Sequence, residues 1–253
     1  MERTQAGESV LSRAVRIIEA FAPGEDWLTV TELAARTGLP LPTVSRMVSE
    51  LALHGWLERD AARRVRLGVR LWEVSVRSSP ALGLREAAMP VLEDLHAQIR
   101  QHAQLGVLRG NEVLFLERLS APRAVVNYTR IAGRLSLHAS SAGLVLLAHA
   151  EPDLQERILA APLKAYTPAT PTDEGQLRRI LATIRQTGSV HCPGYLHPDV
   201  AGVAAPVMRG REAVAALSVV VPNAPEARGY EPLLRMAAAA VSRRLDGGTT
   251  FTQ

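Results

Sequence analysis

Between residues 29 and 68 helix start and stop signals follow one another in an order that few folds accommodate. Thr29 and Glu32 form a capping box, in which each side chain satisfies a backbone N–H left free at a helix start, and Leu28 and Leu33 bracket it as a hydrophobic staple. A short helix through Arg36 is expected. Gly38 then supplies the residue that closes a helix at positive φ, and Pro40 and Pro42 forbid the same helix from continuing. After Pro42, the residues Val44, Met47, Val48 and Leu51 recur at i, i+3, i+4 and i+7, which gives a further helix one apolar face. Its other face carries Thr43, Ser45, Arg46, Ser49 and Glu50. Upstream, Val10, Leu11, Ala14, Ile17, Ile18 and Phe21 follow the same spacing and predict an amphipathic helix over residues 10–21.

Two helices joined by a short glycine-containing turn, the second polar on its outside, make the pattern of a helix-turn-helix. A helical hairpin used only for packing shares that pattern, and the sequel separates the two readings. Gly55 ends the helix, residues 56–59 and 65–68 read as two short strands, and arginines crowd the loop between them. From Arg59 to Arg70 there are five arginines against one acid, Asp60. A β-wing with a cationic tip is suited to lie along a phosphate backbone beside the groove that holds the helix. Residues 9–70 are therefore read as a winged helix-turn-helix that binds double-stranded operator DNA. Thr43, Ser45 and Arg46 are its candidates for base edges, Arg46 foremost because an arginine fork matches guanine. Arg63, Arg64 and Arg66 are its candidates for phosphates.

The chain's 47% apolar and 21% charged residues describe an ordinary globular protein. No apolar run approaches the 18 or so residues that a membrane helix needs, so no membrane partner is expected. The first residues lack the basic start and apolar core of a signal peptide, and a single cysteine makes no intrachain disulfide, so a cytoplasmic location is expected. Of 29 basic residues all but Lys164 are arginines, whose planar fork bonds two phosphate oxygens at once.

The rest of the chain reads as a second domain, residues 84–248, reached through a linker helix over 71–83 that breaks near Pro80. An amphipathic helix is expected over 84–101, strands over 105–108 and 112–117 joined at Gly110-Asn111, and a further strand over 125–128. The small residues from Ala139 to Gly143 open a helix, whose free N–H groups and partial positive charge suit an anion. A second hairpin is expected over 203–207 and 213–221, and a closing helix over 231–245. Helices set around a mostly antiparallel sheet make an α+β fold.

Two parts of the chain independently resemble the IclR family of bacterial transcriptional regulators. Thr31-Glu32-Leu33-Ala34 and Thr37-Gly38-Leu39-Pro40, followed by Thr43-Val44, look like that family's DNA-binding domain. Leu137-His138-Ala139-Ser140-Ser141-Ala142-Gly143 and Gly202-Val203-Ala204-Ala205-Pro206-Val207 look like its two C-terminal hallmark segments. The resemblance implies a GAF-like ligand-sensing domain behind the winged helix-turn-helix, a small organic effector, and a homodimer or homotetramer. It also implies effector contacts at Ser141, Ala142, Cys192, Gly202, Ser218 and Val220. Members that take small carboxylates often carry other polar groups where Cys192, Gly202 and Val220 stand, so this pocket is expected to be roomier and more apolar, suited to an aromatic or larger apolar acid. Related regulators often have lysine and serine where Leu41 and Pro42 stand, so the third helix starts without a side-chain cap.

Tyr128 is a further pocket candidate, and His138 and His102 also carry polar tips that suit one. The segment His191-Cys192 with His197 supports two competing readings, a metal-responsive regulator and an enzyme with a DNA-binding appendage. Three ligands fall short of a closed zinc set. Neighbours on a strand point to opposite faces, which argues against His191 activating Cys192 as a nucleophile. No GxSxG, P-loop or GxGxxG is present, so no catalytic residue, metal site or cofactor is assigned.

Overall fold

The computed structural model describes residues 8–247 other than Pro23, Arg123, Tyr128 and Arg130, and it divides into two compact units, residues 1–79 and 80–253. The first unit holds helices α1 (Val10–Glu19), α2 (Val30–Thr37), α3 (Leu41–Leu53) and α4 (Val69–Ser78), with strands β1 (Leu57–Arg59) and β2 (Val65–Leu67). Both halves of the capping box at α2 form: Glu32 accepts from the Thr29 N–H at 2.7 Å, and Thr29 Oγ1 accepts from the Glu32 N–H at 3.2 Å. Gly38 ends α2 at φ 66. Helix α3 starts after Pro40 with no side-chain cap and with Pro42 in its first turn, where a missing N–H costs nothing because that group is unpaired in any helix.

Ile17, Leu28, Leu33, Val44, Val48, Leu57 and Val65 form this unit's buried core. The strands pair antiparallel with Leu57 opposite Leu67, Glu58 opposite Arg66 and Arg59 opposite Val65. A two-bond bridge between Leu28 and Val65 ties the wing to the start of α2. Helix α4 stops at Ser78, and Ser79 is extended at φ −82, ψ 116, because the ring of Pro80 disfavours helical geometry in the residue before it.

The second unit begins with α5 (Pro80–Ile99) and the hairpin β3 (His102–Arg109) and β4 (Glu112–Leu119), followed by β5 (Arg134–Ser136). Helices α6 (Ser141–Ala148), α7 (Pro152–Leu159) and α8 (Glu174–Thr187) come next. Strands β6 (Val190–Pro193), β7 (Val200–Arg209) and β8 (Glu212–Pro222) then precede α9 (Glu231–Gly247). The six strands form one antiparallel sheet in the order β5-β4-β3-β8-β7-β6. Strand alternation divides its side chains between two cores. Leu105, Val203, Leu217 and Val219 pack with Leu92 and Leu95 of α5 and Leu234 and Val241 of α9, while Phe115, Ala204 and Ala216 pack with Leu144 and Leu147 of α6 and Leu177 and Leu181 of α8.

Residues 125–127 are irregular rather than a strand, and the strand beside β4 is instead Arg134–Ser136; Tyr128, the end of the expected strand, lies outside the described residues. Side chains at and just before the start of β3 claim that segment's backbone. The Gln101 amide oxygen accepts from the Val125 N–H at 3.0 Å, and His102 Nε2 bonds the Val125 carbonyl at 2.6 Å. Helices α7 and α8 were not anticipated, although Asp173, whose side chain accepts from the Gln176 N–H at 2.7 Å, and Gly188 at φ 72 are ordinary helix start and stop residues.

Gly143 in α6 shows how tightly this unit is packed: a Cβ there would lie 2.5 Å from the Leu137 carbonyl oxygen and 2.6 Å from Ser140 Oγ. Overpacking of this kind costs about 1–3 kcal/mol. All three tryptophans, Trp27, Trp56 and Trp72, belong to the first unit. Gly143→Ala is therefore expected to lower the urea midpoint seen by far-ultraviolet circular dichroism while leaving the tryptophan-fluorescence midpoint in place. Equal midpoints to the parent by both probes would refute this packing.

Candidate functional site

On α3 the buried row Val44, Met47 and Val48 turns inward and leaves Ser45, Arg46, Ser49 and Glu50 exposed, with Thr43 half-buried at the first turn. Arg46 has no carboxylate partner among the described residues. Arg63 sits exposed at the wing tip at φ 61, a conformation that turns on the strained side of backbone space. The other two wing arginines are engaged. Arg64 donates through its backbone N–H at 2.8 Å and its Nε at 2.7 Å to Asp60. Arg66 donates from Nε and Nη2 to one Glu58 oxygen at 2.8 and 2.6 Å.

Both guanidinium groups also lie over the Trp27 ring, at 5.6 and 4.7 Å from its centre, a distance at which the ring face attracts a cation. The second Glu58 oxygen accepts from the Val69 N–H at 3.2 Å, at the first residue of α4, whose own cap position is Gly68. The Arg66 guanidinium, and then that N–H, hold the Glu58 carboxyl below the usual carboxylate range.

In the second unit, a cavity opens between the start of α6 and the sheet, with an empty volume of about 510 Å³ that includes its mouth. The sequence-named Ser141, Ala142, Cys192, Gly202, Ser218 and Val220 all line it. Tyr128 lies outside the described residues. Sheet register explains the convergence: Cys192, Gly202 and Val220 sit side by side on β6, β7 and β8, and Ser218 stands beside Ala204 and Gln104 one row along. Ser140 caps α6, its hydroxyl accepting from the Gly143 N–H at 3.1 Å. The N–H groups of Ser141 and Ala142 precede the point where a helix can bond its own amides, and both residues face the cavity.

The remaining walls are mostly apolar, including Phe115, Leu135, Leu196 and Val200, and among the described residues no charged side chain lines the space. Reading from sequence missed Gln104, Asn127, Thr129 and Tyr195, which also line it. Gln104 stands between the buried apolar residues Ala103 and Leu105, so the strand begun three residues earlier than expected is the signal that exposes it as an inward polar group. Its amide bonds Thr129 Oγ1, which donates to Asn127 Oδ1 at 2.8 Å. Ser218 Oγ reaches the Gln104 oxygen at 3.4 Å. Among the described residues Asn127 Nδ2 is buried with no acceptor. Burial, and then the Cys192 side chain, raise the Tyr195 phenol to about 12, so it stays a neutral donor.

His191 and Cys192 point to opposite faces of β6. Cys192 is fully buried toward the cavity and burial pushes its thiol up, away from the thiolate that a nucleophile or metal ligand requires. Among the described residues no three of the His, Cys, Asp and Glu side chains gather where a metal ion would bind. His102 and His138 are bound to main-chain carbonyls, His102 also to Ser120 Oγ at 2.9 Å, and His138 to Lys164 O at 3.0 Å. They act as structural braces. No helix of the described residues is long and apolar enough to cross a membrane.

A family profile described as the IclR helix-turn-helix domain matches residues 10–61, and one described as the bacterial transcriptional regulator IclR C-terminal matches residues 77–244. The HTH-type transcriptional regulator BhcR of Paracoccus denitrificans is 32% identical, over 95% of this chain and 83% of its own. The regulator XynR of Escherichia coli is 28% identical, over 93% and 96%. Among solved structures, an IclR homolog from Microbacterium hydrocarbonoxydans complexed with 4-hydroxybenzoate is 44% identical with a TM-score of 0.91, covering 95% of this chain and all of that one. A winged helix-turn-helix followed by an antiparallel sheet with a cavity under α6, matched by both profiles, means that the chain belongs to the IclR family of bacterial transcriptional regulators, with an effector-binding C-terminal domain.

Proposed function

We propose that this regulator binds operator DNA sequence-specifically through α3 and the wing, and that its effector is a single-ring aromatic carboxylic acid held in the cavity under α6. The carrying observation is the cavity's division of labour. Apolar walls accept a ring, and among the described residues polar donors line the same space: the Ser141 and Ala142 N–H groups, the Ser218 hydroxyl and the Asn127 Nδ2. A helix N-terminus stabilises an anion through its aligned dipoles and free N–H groups without a buried cation. The 4-hydroxybenzoate held by the 44% identical homolog supports this class of ligand.

Effector binding biases the relative placement of two DNA-binding units in a homodimer or homotetramer. Exposed Val10 and Leu11 on α1 and Trp72 on α4 are apolar surface of the kind that a second copy covers. A DNA target is consistent with a cytoplasmic location.

For the cavity, 4-hydroxybenzoate and unsubstituted benzoate are the probes. A ligand at a hundred times its Kd stabilises the folded state by about 2.7 kcal/mol, and a rise in melting temperature that Ser218→Ala reduces is expected. A shift with two- and three-carbon acids and none with ring acids would overturn the assignment.

For DNA, Arg46→Ala is expected to lose about 1–3 kcal/mol of preference for a duplex enriched from a random library over a mixed-sequence one. Arg63→Ala is expected to weaken binding to both alike. Undiminished preference in Arg46→Ala, measured by fluorescence anisotropy, removes that residue from base reading.

A further inference from the structure

Reading from sequence names Arg63, Arg64 and Arg66 for phosphates and gives Arg59 no role, and the structure separates the wing's arginines by the side of the ribbon on which each emerges. Residues directly opposite in an antiparallel pair share a face, and neighbours along a strand alternate. Glu58 and Arg66 are opposite each other and form the outer face with Trp27, whereas Arg59 is opposite the buried Val65 and emerges on the side that faces the helices. There Arg59 Nη2 reaches the Ser49 hydroxyl at 3.3 Å and the Ser45 carbonyl at 3.5 Å. Ser45 and Ser49 belong to the exposed face of α3 that carries Arg46. Both contacts use one nitrogen, so the donors on Nη1 and Nε stay free in a guanidinium whose five N–H groups form a fixed fork. Among the described residues Arg59 has no carboxylate partner, whereas Arg64 has Asp60 and Arg66 has Glu58.

We infer that Arg59 is a DNA-contact residue: it binds a phosphodiester oxygen of B-form DNA at the edge of the groove that receives α3. Arg64 and Arg66 hold the shape of the wing instead. This rests on the DNA-binding reading above. Two observations carry it together. The hydrogen bonds to α3 position the Arg59 fork beside the base-reading face, which limits the side-chain freedom lost on binding. Its charge is also uncompensated, so a phosphate meets a full cation. The Arg64 and Arg66 charges are already matched by carboxylates, and a phosphate approaching them meets a nearly neutral pair stacked on an indole.

The test is salt-dependent fluorescence anisotropy of the full chain on two duplexes, one of mixed sequence and one enriched from a random library by the parent protein. Each phosphate contact contributes about 0.9 to the slope of log K against log salt. Arg59→Ala is expected to reduce the slope by about that amount per bound chain and to weaken both duplexes by the same factor. Arg59→Lys, which keeps the cation, is expected to keep the slope. Arg66→Ala is expected to keep the slope as well, while lowering the unfolding midpoint seen by tryptophan fluorescence.

Parent-like slope and affinity in Arg59→Ala, in a parent that binds both duplexes, overturn the assignment and leave DNA binding intact. A slope lost equally in Arg66→Ala overturns the division between the arginines. Loss confined to the enriched duplex assigns Arg59 to a base and refutes the phosphate contact. A parent chain that binds neither duplex overturns the DNA-binding reading itself, and the role of Arg59 with it.

Discussion

The approach of α6 to the sheet is the constraint on which the second unit depends. The helix starts directly above the row Cys192, Gly202, Val220, and it does so because two positions carry no side chain. A Cβ on Gly202 would stand 2.7 Å from Ser141 Oγ, and one on Gly143 would strike the turn at Leu137. Ala204 and Ala216 continue the same small-residue floor beneath the helix. All eight residues of α6 are buried, so it behaves as a core helix rather than an amphipathic one. Only its first turn, where the chain must present unpaired N–H groups, borders open space. A polar helix end is thereby held over an apolar floor.

That arrangement has a consequence for how the cavity treats charge. A buried ion pair must recover a desolvation cost of several kcal/mol per ion, and the described lining offers dipoles and hydroxyls in place of a fixed charge. Without a ligand, the polar groups partly satisfy one another through Gln104, Thr129, Asn127 and Ser218. Asn127 Nδ2 is the exception. Its side chain comes from the irregular segment after β4, which Gln101, His102 and Arg118 bind to the sheet. The cavity's outer wall is thus a loop suspended by side chains, while its inner wall is a hydrogen-bonded ladder.

In the first unit a comparable chain of contacts runs from Trp27 through Arg66 and Glu58 to the Val69 N–H. It supplies α4 with the acceptor that Gly68 lacks, and so connects the wing to the start of the helix leading out of the unit. The arginine count of this region overstates its free positive charge, because Glu58 lies too early in the chain to be counted with the wing yet pairs across it.

What the sequence determined by itself lies within a turn or two of helix. Thr29 with Glu32, Gly38, Pro40 and the Val44, Met47, Val48 row each act over a few residues, so the order of helices and the polar face of α3 were legible from residue types and spacing. The hallmark segments around Ser141 and Gly202 were legible as a resemblance, and with them six residues of the cavity. Tertiary structure alone decided that Gln104 and Asn127 join them, that residues 125–127 abandon strand geometry, and that Arg59 rather than Arg66 emerges beside α3. Each of those outcomes depends on strand register and on side chains distant in the chain. A one-residue change of register exchanges the two faces of a ribbon, and no local pattern of residues records which register packing selects.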